Sequence, residues 1–430
     1  MRMKQTLLKA SLVILLLAYT NYNAYAQSID KIIRPSETSR ILQTLSSDEM
    51  QGRKVYSTGI DKAATFIAAE FKKAGIQPFP GLENYYQSFA VIKTKAITAA
   101  GTINDLNIDS ANMICFSSRK ELSVDQLSGY QIIKTDSGMN LIKEAREMLG
   151  SKLNYLVLVD SSFKTQFQRL NRLKREQLKK INNVVFVLTN LKPVSFRFDF
   201  KQEIEELPLK NVAGILVGKS KPEEYVLFSA HYDHLGTGKA NSSGDSIYNG
   251  ANDDASGVTA MILLANYFSK MNNNERSIVF VAFTAEETGG FGSSYFSTQI
   301  NPDKVTAMFN IEMIGTESKW GMNSAYITGF DKSDFGKILQ QNLVGTDFHF
   351  EPDPYPKQNL FYRSDNATLA ALGVPAHTIS TSKMDEEKFY HTQEDEIETL
   401  NLANMTAIIK AIALSSKGII KGAETPSRVE

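Results

Sequence analysis

Cysteine is nearly absent: Cys115 is the only one in 430 residues. A single thiol excludes an internal disulfide, so packing and any bound metal must stabilise the chain instead. Its setting, ANMICFSS, is apolar and strand-like, which fits a buried inert thiol better than a nucleophile. Net charge is absent as well. Lys+Arg and Asp+Glu number 47 each, a formal balance of +0, and nothing in it marks a nucleic-acid or bulk anion binder. Long apolar runs are lacking except near the start, where MRMK precedes the apolar stretch Leu7 to Ala18. That stretch is short of the roughly 20 residues a membrane span needs. Ala24-Tyr25-Ala26 before Gln27 fits signal-peptidase cleavage, so residues 1–26 read as a signal peptide rather than an anchor. No cysteine lies nearby to carry a lipid. The expectation is an exported protein, periplasmic or secreted, without stable membrane insertion after cleavage.

What is present is a globular composition, 42% hydrophobic and 22% charged, in a chain long enough for a large α/β domain and a smaller one. Residues 27–98 read as the N-terminal part of the larger domain. Its first helix covers 36–49, with Ile41, Leu42 and Leu45 on one face. A second covers 59–74, with Ala63, Phe66, Ile67 and Phe71 at helical spacing and Gly75 as a stop. From 99 to 208 the texture changes. Short strands (YLVLVD, NVVFVLT, SFRFDF) alternate with helices, and no set of ligand types appears, so this stretch reads as an inserted α/β subdomain. A basic helix is expected there from Lys164 to Ile181, with Leu170, Leu173, Leu178 and Ile181 forming its apolar face.

From 209 to 422 the pattern is an apolar run, a turn, then a helix. YVLFSA, SIVFVAF, VTAMFNI and VPAHTIS read as buried strands, and 257–271 and 404–418 as helices. This alternation predicts a mostly parallel central sheet with helices on both faces. The tail, 423–430, is polar and expected to fray.

Ligand-type residues follow the ends of these strands, where such sheets place their sites. They are His231 and Asp233 in VLFSAHYDHLG, Asp253 in YNGANDDASG, Glu286-Glu287 in VFVAFTAEETGGFGS, Glu312 in MFNIEMIG, and His391 in FYHTQEDEIETL. Each has a plain alternative. His231 could be a satisfied histidine, Glu286-Glu287 a solvent-facing helix start, and DDASG an N-cap. His234, His349 and His377 lack comparable neighbours and read as structural. Jointly, two histidines and three carboxylates can hold two zinc ions, with one further carboxylate left as a base. A bridging hydroxide would bring that core near neutrality.

Taken in order, AHYDHLG, NGANDDASGV, AFTAEETGGFGS, NIEMIG, RSDNATLAALGVPAHTIS and YHTQEDEIETL resemble the dizinc aminopeptidase family. That family is related to glutamate carboxypeptidase, the glutaminyl cyclases and the transferrin-receptor ectodomain. The resemblance extends to LSSDEMQGR and STGIDKAATFIAAEFKKAGIQP, while 99–208 occupies the position where relatives insert a protease-associated domain. It implies a dizinc exopeptidase fold with two Zn²⁺. His231, Asp253 and Glu312 would hold one. Asp253, Glu287 and His391 would hold the other, with Asp253 and a water or hydroxide bridging. Glu286 would be the general base, Asp233 would orient His231, Tyr390 would donate to the oxyanion, and a cis peptide would follow Asp253. Many relatives have Asp where this chain has Glu312.

The implied activity is an aminopeptidase acting on peptides with a free N-terminus. A one-zinc glutaminyl cyclase, a carboxypeptidase for acidic dipeptides with Arg363 as a candidate, and a non-catalytic receptor-like scaffold are the alternatives. Oligomeric state is not readable.

Overall fold

The computed structural model describes residues 29–430 except 137, 175, 180 and 181. The signal-peptide expectation for residues 1–26 therefore lies outside the described residues. The chain divides into two compact units. One comprises residues up to Ser88 together with Lys210–Glu430, and the other comprises Phe89–Leu209.

In the first unit, α1 (Pro35–Leu45) and α2 (Thr58–Ala74) precede the sheet. Ser57 caps α2 by accepting from the Ile60 amide, and Gly75 closes it in the left-handed conformation. The sheet comprises the closing residues of β1 (Phe196–Leu216), then β2 (Lys221–His231), β3 (Arg276–Phe283), β4 (Val305–Ile311), β5 (Ser324–Ile327), β6 (His349–Pro352) and β7 (Ala376–Ser380). Their spatial order is β6-β5-β7-β4-β2-β3-β1. The four strands β3, β2, β4 and β7 are mutually parallel. β1 joins β3 antiparallel, and β5 joins β7 antiparallel.

Both faces of the parallel strands are buried over most of their paired length, which is why they are largely apolar rather than alternating. Val279, Val281 and Phe283 of β3 point to the face covered by α4 (Phe291–Gln299), where Phe296 packs. On the opposite face, Phe228 of β2 stacks against Phe280, Phe309 and Phe268 of α3 (Gly257–Met271). α5 (Leu402–Ser415) is buried alongside, with Met405, Ile408, Ile409 and Ile412 fully enclosed.

The tail does not fray. Buried Arg276 takes the carbonyls of Ile419 and Glu424, Arg428 donates to the Val305 carbonyl, and the Val429 amide donates to Gly373. Polar composition predicted loose ends, but backbone carbonyls and an arginine side chain tie the tail down.

The second unit holds a four-stranded sheet ordered Met113–Phe116, Val184–Leu188, Tyr155–Val159, Gln131–Lys134, with a helix at Leu141–Gly150. Cys115 is buried there, and burial pushes its thiol up to about 12. Among the described residues of 164–181, the expected long basic helix is not formed. Lys164–Phe167 form one α-turn, Gln168–Lys174 a 3₁₀ segment, and Gln177–Leu178 a short strand. Leu178 pairs with Val91 in a β-ladder, so tertiary pairing overrides the helical pattern. Among the described residues, no helix is long and apolar enough to cross a membrane.

Candidate metal centre and active site

Because β2, β3 and β4 are parallel, their carboxyl ends share one rim. His231 ends β2 opposite Phe283 of β3, Glu286 and Glu287 follow β3, and Glu312 follows β4. The turn after β3 has Ala285 at φ 59. It points the two glutamate amides at the Asp233 carboxylate, 3.1 Å from Glu286 and 3.3 Å from Glu287. Asp233 thus anchors the Glu-Glu turn. The His231 ring is held by a neighbour of another kind: its Nδ1 lies 3.1 Å from the Asp233 carbonyl, against 3.9 Å from the carboxylate. The orienting contact expected from the side chain is made by the backbone.

Asp253 sits in the irregular turn Ala251–Ser256, and the Asp253–Asp254 peptide is cis, as the resemblance implies. The turn is braced on three sides. Asp395 accepts the amides of Asn252 at 2.8 Å and Asp253 at 3.0 Å. Asp254 accepts from the amides of His231, Gly257 and Met313, so it locks the turn to β2 and β4 rather than facing solvent. Arg53, 1% exposed, donates to the carbonyls of Leu45, Tyr232, Asn249 and Gly250.

The result is a compact ligand set. The two oxygens of Asp253 face different histidines: Oδ1 is 3.2 Å from His231 Nε2, and Oδ2 is 3.3 Å from His391 Nε2. His391 Nε2 is also 3.1 Å from Glu287 Oε2. Glu286, Glu312 and Tyr390 line the same cleft, whose cavity volume is about 60 Å³. The Tyr390 ring stacks on His391 with centroids 3.9 Å apart.

Electrostatics shows what the set is suited to hold. Burial drives the Glu286 carboxyl well above the usual range, and the charges of Glu312, Asp365 and Glu287 push the same way. Burial likewise raises Glu312, Asp233 to about 6 and Asp365 to about 7. Burial opposes the charge on His391, yet Asp253 and Glu287 outweigh it and raise the imidazole to about 10. Asp253 is pulled well below the usual range against its own burial by His231 and His391. Carboxylates outnumber the basic groups that could neutralise them, a balance that bound cations would correct.

The geometry agrees. The Nε2 atoms of His231, His234 and His391 are buried without a hydrogen bond, and those of His231 and His391 each lie close to a carboxylate oxygen. Two ligands of one tetrahedral zinc, with bonds of about 2.0–2.1 Å, stand about 3.3 Å apart. The observed separations of 3.1–3.3 Å match that edge. An all-nitrogen-and-oxygen donor set suits zinc.

His234, read from sequence as structural, is in the site. Its Nδ1 lies 2.9 Å from Glu287 Oε1, and it groups with Asp253 and Glu287 within metal-binding range. The HYDH spacing was its only sequence signal. Arg53 and Asp395 were also missed, since both act through the backbone of residues distant in sequence. Arg363 lines the cleft, exposed. The Ser364 hydroxyl beside it accepts from the Asn310 side-chain amide at 2.7 Å. His377 is structural as expected, set between the Ser333 hydroxyl and the Thr328 carbonyl.

Residues 211–415 match peptidase family M28. A vacuolar membrane protease of Schizosaccharomyces pombe is 22% identical over 295 residues, covering 66% of this chain and 29% of the protease. The chain thus spans less than a third of that relative's length. The fold is similar to a zinc aminopeptidase from Bacillus subtilis, with TM-score 0.52, 17% identity, and coverage of 91% of this chain and 97% of that one. It is also similar to the Porphyromonas gingivalis glutaminyl cyclase, with TM-score 0.50, 12% identity, and coverage of 90% and 99%. At these identities the two structures speak to fold alone.

Proposed function

We propose that this chain, whose residues 211–415 belong to peptidase family M28, is an exported dizinc aminopeptidase releasing residues from the free N-termini of peptides. The observation that carries the reading is Asp253, whose two oxygens face two different histidines beside two adjacent glutamates. His231, Asp253 and Glu312 would hold one zinc, and Asp253, Glu287 and His391 the other. Zinc, when bound, polarises a carbonyl and acidifies water at neutral pH.

The chain's own residues do the rest. Glu286 faces the cleft and makes no metal contact in this scheme, so its carboxylate takes a proton from the attacking water and returns it to the leaving amine. Burial raises its carboxyl above the usual carboxylate range, which favours its holding the transferred proton between the two steps. Tyr390, stacked on His391 at the cleft wall, donates its hydroxyl to the developing oxyanion. The carboxylate-rich rim attracts a protonated α-amine. Export rests on the MRMK and Leu7–Ala18 pattern before Ala24-Tyr25-Ala26, and a mature N-terminus at Gln27 would support it.

A panel of aminoacyl-nitroanilides, free and N-acetylated, tests the activity. Free substrates should turn over and blocked ones should not. Equal cleavage of both overturns the aminopeptidase reading, and cyclisation of N-terminal glutamine by a one-zinc protein would replace it with a glutaminyl cyclase.

A further inference from the structure

His234 follows His231 by three residues and is 2% exposed, yet it takes no part in the scheme above. Its ring is immobilised. Gly250, at φ +55, lies against it so closely that a Cβ there would stand 2.5 Å from the imidazole Cδ2 and 2.2 Å from the Asp253 carbonyl oxygen. The His391 ring meets it edge-on at 5.7 Å. In this fixed pose Nδ1 points at Glu287 Oε1, 2.9 Å away.

Two roles fit an imidazole in that position, and distance separates them. A ligand should stand about 3.3 Å from its fellow ligands on a tetrahedral zinc. His391 Nε2 does so for both Asp253 and Glu287, at 3.3 and 3.1 Å. His234 Nδ1 does so for neither, at 3.9 Å from Asp253 Oδ2 and 2.9 Å from Glu287 Oε1. The shorter value is an ordinary N–H···O hydrogen bond. An ionised carboxylate only accepts, so this contact is a hydrogen bond in the tautomer with Nδ1 protonated, which leaves Nδ1 no lone pair for a metal and leaves Nε2 buried without a hydrogen bond. The two Glu287 oxygens are thereby divided: Oε1 goes to His234 and Oε2 to His391.

We propose that His234 is a positioning residue for Glu287, its Nδ1–H holding Oε1 so that Oε2 faces Asp253 and His391. This rests on the reading of Asp253, Glu287 and His391 as one metal triad. Groups that orient a metal ligand in this way typically change affinity by about 10–100-fold when lost.

The test compares His234→Asn, whose amide nitrogen stands near the position of Nδ1, with His234→Leu, which keeps bulk and removes the donor. Zinc per chain is measured by elemental analysis after dialysis against a graded chelator series, with thermal unfolding to confirm the fold. Wild type and H234N should keep two zinc ions at chelator strengths where H234L has lost one, with affinity for that ion lowered 10–100-fold. H234L retaining both as tightly as wild type overturns the proposal, and so does H234N losing zinc as readily as H234L, which would make the ring a ligand. Should H234L not fold, nitrogen-15 NMR of histidine-labelled wild-type protein loaded with zinc decides the matter. A protonated Nδ1 at His234 is expected, and a bare or metal-bound Nδ1 overturns the inference. Wild-type protein that never binds more than one zinc sinks the two-metal reading instead, whatever the variants do.

Discussion

The parallel strands of the first unit end in two rims, and their charges are handled in opposite ways. At the amino ends, buried Arg276 opens β3 and reaches Glu224 at 2.6 Å, two main-chain carbonyls and the Thr425 hydroxyl. The Arg276 hydrogen bond holds the Glu224 carboxyl below its usual range. At the carboxyl ends, Asp233, Glu286, Glu312 and Asp365 are raised by burial with no comparable cation beside them. The one buried arginine there, Arg53, spends its donors on carbonyls. Burial pushes its guanidinium down, while the charges of Asp395 and Asp253 pull it back up. A rim that matches its own charges stabilises the fold. A rim that leaves carboxylates unmatched is built for something that arrives from outside.

The largest expected effect would break the comparison at its functional side. Glu286→Gln removes the proton shuttle and leaves the proposed ligands intact, so kcat should fall on the order of 10²–10⁴-fold with zinc content unchanged. Full activity in that variant would dismiss Glu286 as the base. The next effect compares the buried arginines directly. Arg53→Met removes the donor to four carbonyls around the Asp253 turn, and Arg276→Met removes the donor to two carbonyls while Glu224 keeps Lys221. Each should cost on the order of 3 kcal/mol in chemical denaturation. They should differ in metal handling, with zinc escaping more easily from R53M and R276M binding it as wild type does. Identical zinc retention in both would erase the distinction between the rims.

How much of this was readable in sequence follows the same division. Helix 257–271 and strand 305–311 match the observed elements residue for residue, because periodicity and flanking turns agree there with tertiary packing. β5 and β6 were missed, since four-residue strands carry too little pattern. The basic helix failed where Leu178 was needed by a neighbouring strand. At the site, the proposed metal ligands stood out by type and position after a strand. Arg53 and Asp395, which act on the main chain, did not. Arg53 serves a loop near residue 250, and Asp395 braces amides of residues 252 and 253. No local spacing announces such work.

The smallest effect tests the amino rim alone. Arg428 is exposed, yet its guanidinium donates to the Val305 carbonyl at 2.9 Å, where β4 begins, and to the Pro302 carbonyl at 3.3 Å. Solvent can replace part of those bonds, and the tail keeps its Arg276 contacts and the Val429–Gly373 bond. Arg428→Ala should therefore lower stability by only about 1 kcal/mol, read as a modest drop in the denaturation midpoint with unchanged slope. Its kcat, KM and zinc content should equal those of wild type, because nothing it touches lies on the rim that carries Asp253 and Glu286. A loss of zinc or of turnover in this variant would show that strand β4 transmits strain from one rim to Glu312 on the other, and the separation of stabilising and functional rims would have to be abandoned.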